Sequence, residues 1–270
     1  MPTLYIVATP IGNMEDITLR ALKVLDEVPL IAAEDTRKTG RLLSSFGIKT
    51  KLTSYHEHNK MSKLPSLLRH LEGKDLALVS EAGMPGISDP GYELVSAAIE
   101  RGIRVVPVPG ASALVTALAV SGLPTDGFTF VGFLPRKKGQ RRRLLEGVAA
   151  EGRTIVAFEA PHRLAAALND ILDVLGDRRI AVCRELTKMY EEVFRGRVSD
   201  AIAHFGEPIG EFTLVIQGNE GSKPSIDESI QVAMSRMRED GVPAKEAVAR
   251  LAAETGISRK ELYRAWVNLE

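Results

Sequence analysis

Short apolar runs that alternate with helix-period segments constrain this fold more than any other feature of the chain. Leu4 to Ala8, Leu30 to Ala33, Leu52 to Ser54, Leu76 to Val79 and Arg104 to Val108 read as strands. The segments beginning near Thr18, Thr36, Met61 and Gly91 read as helices between them. Repeated strand–helix units bury each strand on both faces, so they predict a mainly parallel sheet covered by helices. A further helical stretch, Ser112 to Ala119, leads into the turn signal Ser121-Gly122-Leu123-Pro124. Strand patterns then restart at Phe128 to Phe133, Thr154 to Phe158, Arg179 to Arg184, Glu192 to Arg195 and Phe212 to Gln217. The expected architecture is α/β, with one α/β domain over 1–112 and a second over 113–221, joined near residues 110–125. Beyond the polar linker Gly218 to Pro224 no strand signal remains. Helices are expected at about Ile226 to Glu239, Ala244 to Thr255 and Ser258 to Leu269, forming a helical extension over 222–270. The last two, split by Gly256-Ile257, look like a helix-turn-helix, and their nearly balanced charge favours a structural role over nucleic-acid contact.

At 270 residues the chain is long enough for two domains with separate cores. Its 35 basic and 35 acidic residues cancel, so any affinity for nucleic acid must come from a local patch. The single cysteine, Cys183, excludes an internal disulfide and a multi-thiolate metal site, and its place in Ile180-Ala181-Val182-Cys183 reads as core. No charged leader with an apolar signal core precedes the first strand. The longest weakly polar stretch, Ala111 to Leu123, is 13 residues, too short to span a bilayer. A soluble cytoplasmic protein without a membrane partner is expected. His56, Glu57 and His58 lack a further evident ligand, so no metal is expected.

Ligand chemistry is concentrated in the 12-residue loop Ser80 to Gly91, which joins an apolar strand to a helix. Its glycines let backbone approach a ligand, while Pro85 and Pro90 hold its shape. Loops at the carboxyl ends of sheet strands form the usual crevice of open α/β folds. Neither G-x-x-x-x-G-K-[ST] nor a G-x-G-x-x-G after the first strand is present. Two further glycine/proline loops, Thr9-Pro10-Ile11-Gly12-Asn13 and Val108-Pro109-Gly110-Ala111-Ser112-Ala113, also follow strands. None of these loops supplies the lysine that a polyphosphate needs. Ser112 is placed to cap the next helix.

These segments, with Ala33-Glu34-Asp35-Thr36-Arg37, His56-Glu57-His58-Asn59, Arg184-Glu185-Leu186-Thr187-Lys188 and Gly210-Glu211-Phe212-Thr213, resemble in order the motifs of the tetrapyrrole methylase superfamily. Within it they are most similar to the bacterial enzymes that methylate a cytidine ribose 2′-hydroxyl in small-subunit ribosomal RNA. The resemblance spans roughly residues 3–218 and rests on the order of the motifs. It implies two α/β domains with S-adenosylmethionine in the cleft between them, and usually a homodimer. Two departures stand out: the family usually has Ser-Asp-Ala-Gly-Thr-Pro at Ser80 to Pro85, where this chain has Glu81 and Met84, and commonly Pro-Gly-Pro at Pro109-Gly110-Ala111. Backbone at Pro10, Ile11 and Gly12, at Ala82, Gly83 and Met84, and at Ser112 and Ala113 matches the polar parts of that cofactor, with Glu81 as an acceptor. The resemblance adds Glu159, Leu186, Gly210, Glu211 and Phe212 from the second domain.

Methyl transfer to a ribose hydroxyl is an in-line displacement, so the protein supplies position and exclusion of water. A base, or a cation that lowers the hydroxyl pKa, helps late in the transfer. Glu34, Asp35, Glu159, Glu185 and Lys188 are the candidates, set against a helix N-terminal role for Asp35 and a surface ion pair for Glu185 with Lys188. Arg136, Lys137, Lys138, Arg141, Arg142 and Arg143 put six cations in eight residues at a helix start, where they oppose the macrodipole; with Arg37 they are the expected RNA contacts. Rival readings are a methyltransferase of cobalamin or sirohaem precursors and a non-catalytic RNA-binding assembly factor. The Glu34 to Arg37 motif and the basic run favour ribosomal RNA.

Overall fold

In a computed structural model, which describes residues 2–206, 208–219, 221, 226 and 228–268, the first half folds as a parallel sheet with helical crossovers. Its elements are β1 (Thr3–Val7), α1 (Leu19–Glu27), β2 (Ile31–Ala33), α2 (Thr36–Ser45), β3 (Leu52–Ser54), α3 (Lys60–Leu71), β4 (Leu76–Val79), α4 (Tyr92–Glu100) and β5 (Arg104–Val108). The spatial order is β3-β2-β4-β1-β5, and every pairing is parallel. Leu76 to Val79 is buried throughout because helices cover both faces of its sheet, which is why it reads as a continuous apolar run. One side packs on Leu25, Ile31 and Leu43, the other on Leu68, Leu78 and Leu94. Since β4, β1 and β5 are neighbours, the three glycine/proline loops emerge side by side. Thr9 and Gly83 pair across two of them, with N–H to carbonyl distances of 2.9 and 3.0 Å.

The chain changes sheets at α5 (Ala113–Val120), whose Ala117 and Leu118 are buried with Val156, Ala181 and Val215. The second sheet comprises β6 (Phe128–Phe133), β7 (Thr154–Glu159), β8 (Arg179–Arg184), β9 (Glu192–Arg197) and β10 (Phe212–Ile216), with α6 (Lys138–Gly147), α7 (Leu164–Leu175) and α8 (Val198–His204) between them. Its order is β6-β7-β10-β8-β9, and only β6 with β7 is parallel. The local pattern locates these strands but does not carry their direction. A short β8–β9 connection forces an antiparallel pair, and the last strand enters the middle of the sheet.

Residues 1–218 and 219–270 are separate compact units. The second contains α9 (Glu228–Glu239), α10 (Ala244–Thr255) and α11 (Arg259–Val267) around Met234, Leu251, Ile257, Leu262 and Trp266. Gly256, at φ +71°, ends α10 in the left-handed region, and Ser258 caps α11 by accepting the Glu261 N–H. Residues 220 and 222–224 of the expected linker, and residues 227 and 269 of the expected helices, lie outside the described residues. Among the described residues no helix is long and apolar enough to cross a membrane.

Candidate active site

A cleft of about 410 Å³ lies between the two sheets of the first unit, a size suited to a small ligand. From the first sheet it is lined by Ile11, by Glu81 to Met84 with Ile87 to Asp89, and by Ser112 and Ala113. From the second come Phe133, Phe158 to Pro161, Cys183, Leu186 and Glu211 to Thr213. Phe133 and Phe158 meet there, their rings 5.3 Å apart, because β6 and β7 pair at those residues. Burial pushes the Cys183 thiol up to about 11, so it is an apolar wall and not a nucleophile.

Two glycines knit the loops at the end of this cleft. A Cβ on Gly12 would stand 2.8 Å from Thr187 Oγ1 and 2.9 Å from the Leu186 carbonyl oxygen, and the next residue, Asn13, donates its N–H to Thr187 Oγ1 at 3.0 Å. Gly210, at φ +97°, lets the Glu185 side chain pass so closely that a Cβ would lie 2.7 Å from Oε1. Ser88, Glu185 and Thr187 are the non-glycine residues with positive φ among the described residues, and all three sit on loops around the cleft. Such strain collects where a fold over-determines the position of functional groups.

The expected acid and base residues are placed very differently. Glu34 lines the cleft, and its Oε2 accepts the Glu81 N–H at 3.0 Å, while the Glu81 carboxylate pairs with Lys38. Asp35 does not line the cleft. It caps α2, accepting from the N–H groups of Arg37 (2.8 Å) and Lys38 (3.2 Å); the Arg37 side chain, then these N–H groups, hold its carboxyl below the usual range. Glu185 is knotted with Lys188 Nζ at 2.8 Å and with the Glu211 N–H at 2.8 Å, and Lys188 also reaches Glu211 at 3.1 Å. Burial opposes the charge on Glu185, but Lys188 and the Glu211 N–H outweigh it and lower its pKa. Glu185 and Lys188 thus brace the junction behind the cleft. Glu159, 2% exposed, gives Oε1 to Arg163 and to the Ala160 N–H, both at 2.7 Å, while its buried Oε2 has no partner among the described residues. Burial pushes its pKa up.

Asp89, like Glu34, is a carboxylate of this cleft that forms no salt bridge among the described residues, and it was not among the expected site residues. Burial, then the charge of Glu34, raises it to about 7, against a hydrogen bond from Ser80. Its sequence signal is an Asp-Pro at the end of a glycine/proline loop: Pro90 restricts the Asp89 backbone, and the strained Ser88 precedes it.

The basic run divides by helical face. Arg136, Lys137, Lys138 and Arg143 are exposed. Arg141 corrects the expectation: it shares a face of α6 with the buried Leu145, is 4% exposed, and its Nε and Nη2 bond Asp170 Oδ2 at 2.8 and 2.6 Å. Its charge is spent inside the protein. Arg142 is also committed, to Asp170 at 3.3 Å and Asp173 at 2.8 Å. Arg37 is exposed beside Asp35.

Two α/β sheets with a ligand cleft between them, walled by glycine/proline loops, define a methyltransferase of the tetrapyrrole methylase type. Residues 3–202 match the family model for Tetrapyrrole (Corrin/Porphyrin) Methylases. The chain belongs to that family, and within it to the proteins named ribosomal RNA small subunit methyltransferase I. Such proteins from Halalkalibacterium halodurans and Bacillus subtilis are 49% and 43% identical, each covering 98% of this chain and 94% of the relative. One from Thermotoga maritima is 54% identical over 223 residues, 82% of this chain and 100% of its own length. Among solved structures, a diphthine synthase has a TM-score of 0.64 at 15% identity, covering 80% of this chain and 90% of its own. A uroporphyrin-III-C-methyltransferase from Thermus thermophilus has a TM-score of 0.57 at 23% identity, covering 82% and 96%. These last two share the fold. The methyl donor of this family is S-adenosylmethionine.

Proposed function

We propose that this protein transfers a methyl group from S-adenosylmethionine to the 2′-hydroxyl of a cytidine in small-subunit ribosomal RNA, in the cytoplasm. Near full-length similarity to methyltransferase I proteins supports the RNA substrate, whereas likeness to a uroporphyrin enzyme extends to the fold alone. The observation that carries the chemistry is Asp89, a half-buried carboxylate in the cleft wall whose pKa burial and the Glu34 charge raise to about 7.

The residues present fit that cofactor. Glu159 offers a buried oxygen in need of a donor, and the Ala82-Gly83 backbone, Ser112 and Ala113 offer close approach without a large side chain in the way. The Met84 side chain also lines the cleft, so the departure there brings an apolar group to the cofactor loop. S-adenosylmethionine supplies an electrophilic methyl group on a sulfonium when bound. Asp89 takes the proton that the ribose hydroxyl loses as its oxygen forms the new bond and the methyl–sulfur bond breaks; a base with a pKa near 7 is about half ionised at neutral pH and strong enough to accept that proton. Glu34, fixed by the Glu81 N–H, is the positioning residue whose charge adds to burial in raising the pKa of Asp89. Phe133, Phe158 and Ile11 exclude water. Exposed Arg136, Lys137, Lys138, Arg143 and Arg37 draw in the RNA backbone.

A homodimer is part of this reading: Leu19, Tyr92, Met189 and Tyr190, each more than 70% exposed, supply apolar surface for a second copy, and sedimentation tests it. Incubation with methyl-labelled S-adenosylmethionine and small subunits from cells lacking the modification tests the activity. Label in the ribosomal RNA is expected; no label in subunits or their naked RNA contradicts the proposal.

A further inference from the structure

Away from the cleft, a groove of about 370 Å³ opens on the second sheet where α5 ends. Arg179, Arg195 and Arg197 line it together with Ser121, Leu123 and Asp200. Arg179 of β8 stands directly opposite Arg197 of β9 in the antiparallel ladder, and Arg195 lies two residues back on the same face. Like charges placed directly opposite each other in a sheet are destabilising, so the arrangement needs a compensating anion. Among the described residues the groove lining offers one carboxylate, Asp200, and the Asp177 carboxylate lies within Coulombic reach of Arg197. Among the described residues these three arginines form no salt bridge; Arg195 Nε donates to the Val120 carbonyl oxygen at 3.0 Å and Arg197 Nη1 to that of Asp177 at 2.7 Å. Asp200 spends an oxygen on the Arg197 N–H at 3.0 Å, and the Asp177 carboxylate is taken by the N–H and hydroxyl of Ser199 at 2.9 and 3.0 Å. The groove lining therefore holds three cations and one carboxylate, an excess of positive charge. Protection of a sheet edge accounts for the cations of β9, an edge strand, but not for Arg179, because β8 is flanked by β10 and β9.

We propose that this groove binds backbone phosphates of the substrate RNA, at a distance from the ribose that reacts. The placement suits that task. Ser112 and Ala113 at the start of α5 line the cleft, while Ser121, just past its end, lines the groove. A helix of 8 residues separates them, about 12 Å at 1.5 Å per residue. A strand whose target ribose enters the cleft thus reaches the groove within a short run of nucleotides. Arg195 is held by the carbonyl at the end of α5, so part of the site is formed before RNA arrives. Arg179 and Arg197 supply the remaining donors, and a guanidinium suits the forked geometry of a phosphate.

The inference rests on the RNA substrate proposed above, and salt-dependent binding separates the two. The test compares wild type with Arg179→Gln/Arg197→Gln, titrating small-subunit RNA at salt concentrations from about 50 to 200 mM. The variant is expected to bind more weakly, with the slope of log K against log salt shallower by about 1.4–1.8 for two lost phosphate contacts. Its affinity for S-adenosylmethionine is expected to be unchanged and its melting temperature no lower, since a repulsive pair has been removed. Identical RNA affinity and slope in the two proteins would overturn the groove while leaving the RNA reading intact. Loss of a dimer in the variant would overturn it in favour of a protein contact. Failure of the wild type to bind this RNA would overturn the substrate reading itself.

Discussion

Asp89 concentrates the chemistry of the account in one carboxyl group, and its raised pKa makes two predictions of opposite benefit. Above about 7 the group is ionised and can accept a proton, so kcat/KM of the wild type should rise through that pH. Asp89→Asn is expected to slow transfer by about 10²–10⁴-fold and to abolish that limb, while binding of S-adenosylmethionine changes little by calorimetry. A parallel loss of cofactor affinity would make Asp89 a cofactor ligand instead. Stability runs the other way. The folded state holds a proton from the unfolded pKa near 4 up to about 7, so stability falls as pH rises across that window. Asp89→Asn should therefore melt higher than wild type at pH 8, by ~1 kcal/mol after allowance for solvent screening, and not at pH 3. Arg141 tests the other correction. Arg141→Ala leaves the buried Asp170 with only the longer contact to Arg142 and should cost about 3 kcal/mol, whereas Arg143→Ala should stay within about 0.5 kcal/mol in denaturant titrations. The charge run was legible in the sequence, but its division was not, because that depends on which face of α6 meets α7.

At the scale of elements, the first sheet was readable because its strands are short and mostly apolar and β1 to β4 are each followed by a crossover helix. Register against neighbours was not readable, and it is register that sets β4, β1 and β5 side by side and gathers three loops into one wall. The second sheet hid more. β10 comes last in the chain yet pairs with β7 and β8, and no local pattern announces a strand that inserts between two earlier ones. Glu159, Leu186 and Phe212 reach the cleft through that insertion, which is why they entered the sequence reading only by family resemblance. The junction of loops is the element most sensitive to volume. Gly12→Ala puts a methyl group against the Leu186 carbonyl and Thr187 and is expected to cost about 1–3 kcal/mol. Calorimetry should show weaker binding of S-adenosylmethionine as Ile11 and Leu186 shift; unchanged affinity would remove this junction from the account.

For the molecule as a whole, the division at Gly218 separates a catalytic unit from a helical one with its own buried Trp266 and Leu262. The Thermotoga relative is matched over its entire length by 223 residues, so a methyltransferase of this family reaches full length in about the extent of the first unit. A chain ending at Gly218 should fold cooperatively and bind S-adenosylmethionine within about twofold of the full protein, because the lining of the cleft lies within 1–218. Loss of binding in a folded truncation would place part of the site in the last 52 residues. The separateness of that segment was legible in its change of pattern from strands to helices alone. The central claim concerns where the methyl group goes. Mass spectrometry of nucleosides from small-subunit RNA treated with the enzyme decides it: the account predicts one 2′-O-methylcytidine per RNA, and a methyl group on the cytosine base, or on another nucleoside, would contradict it.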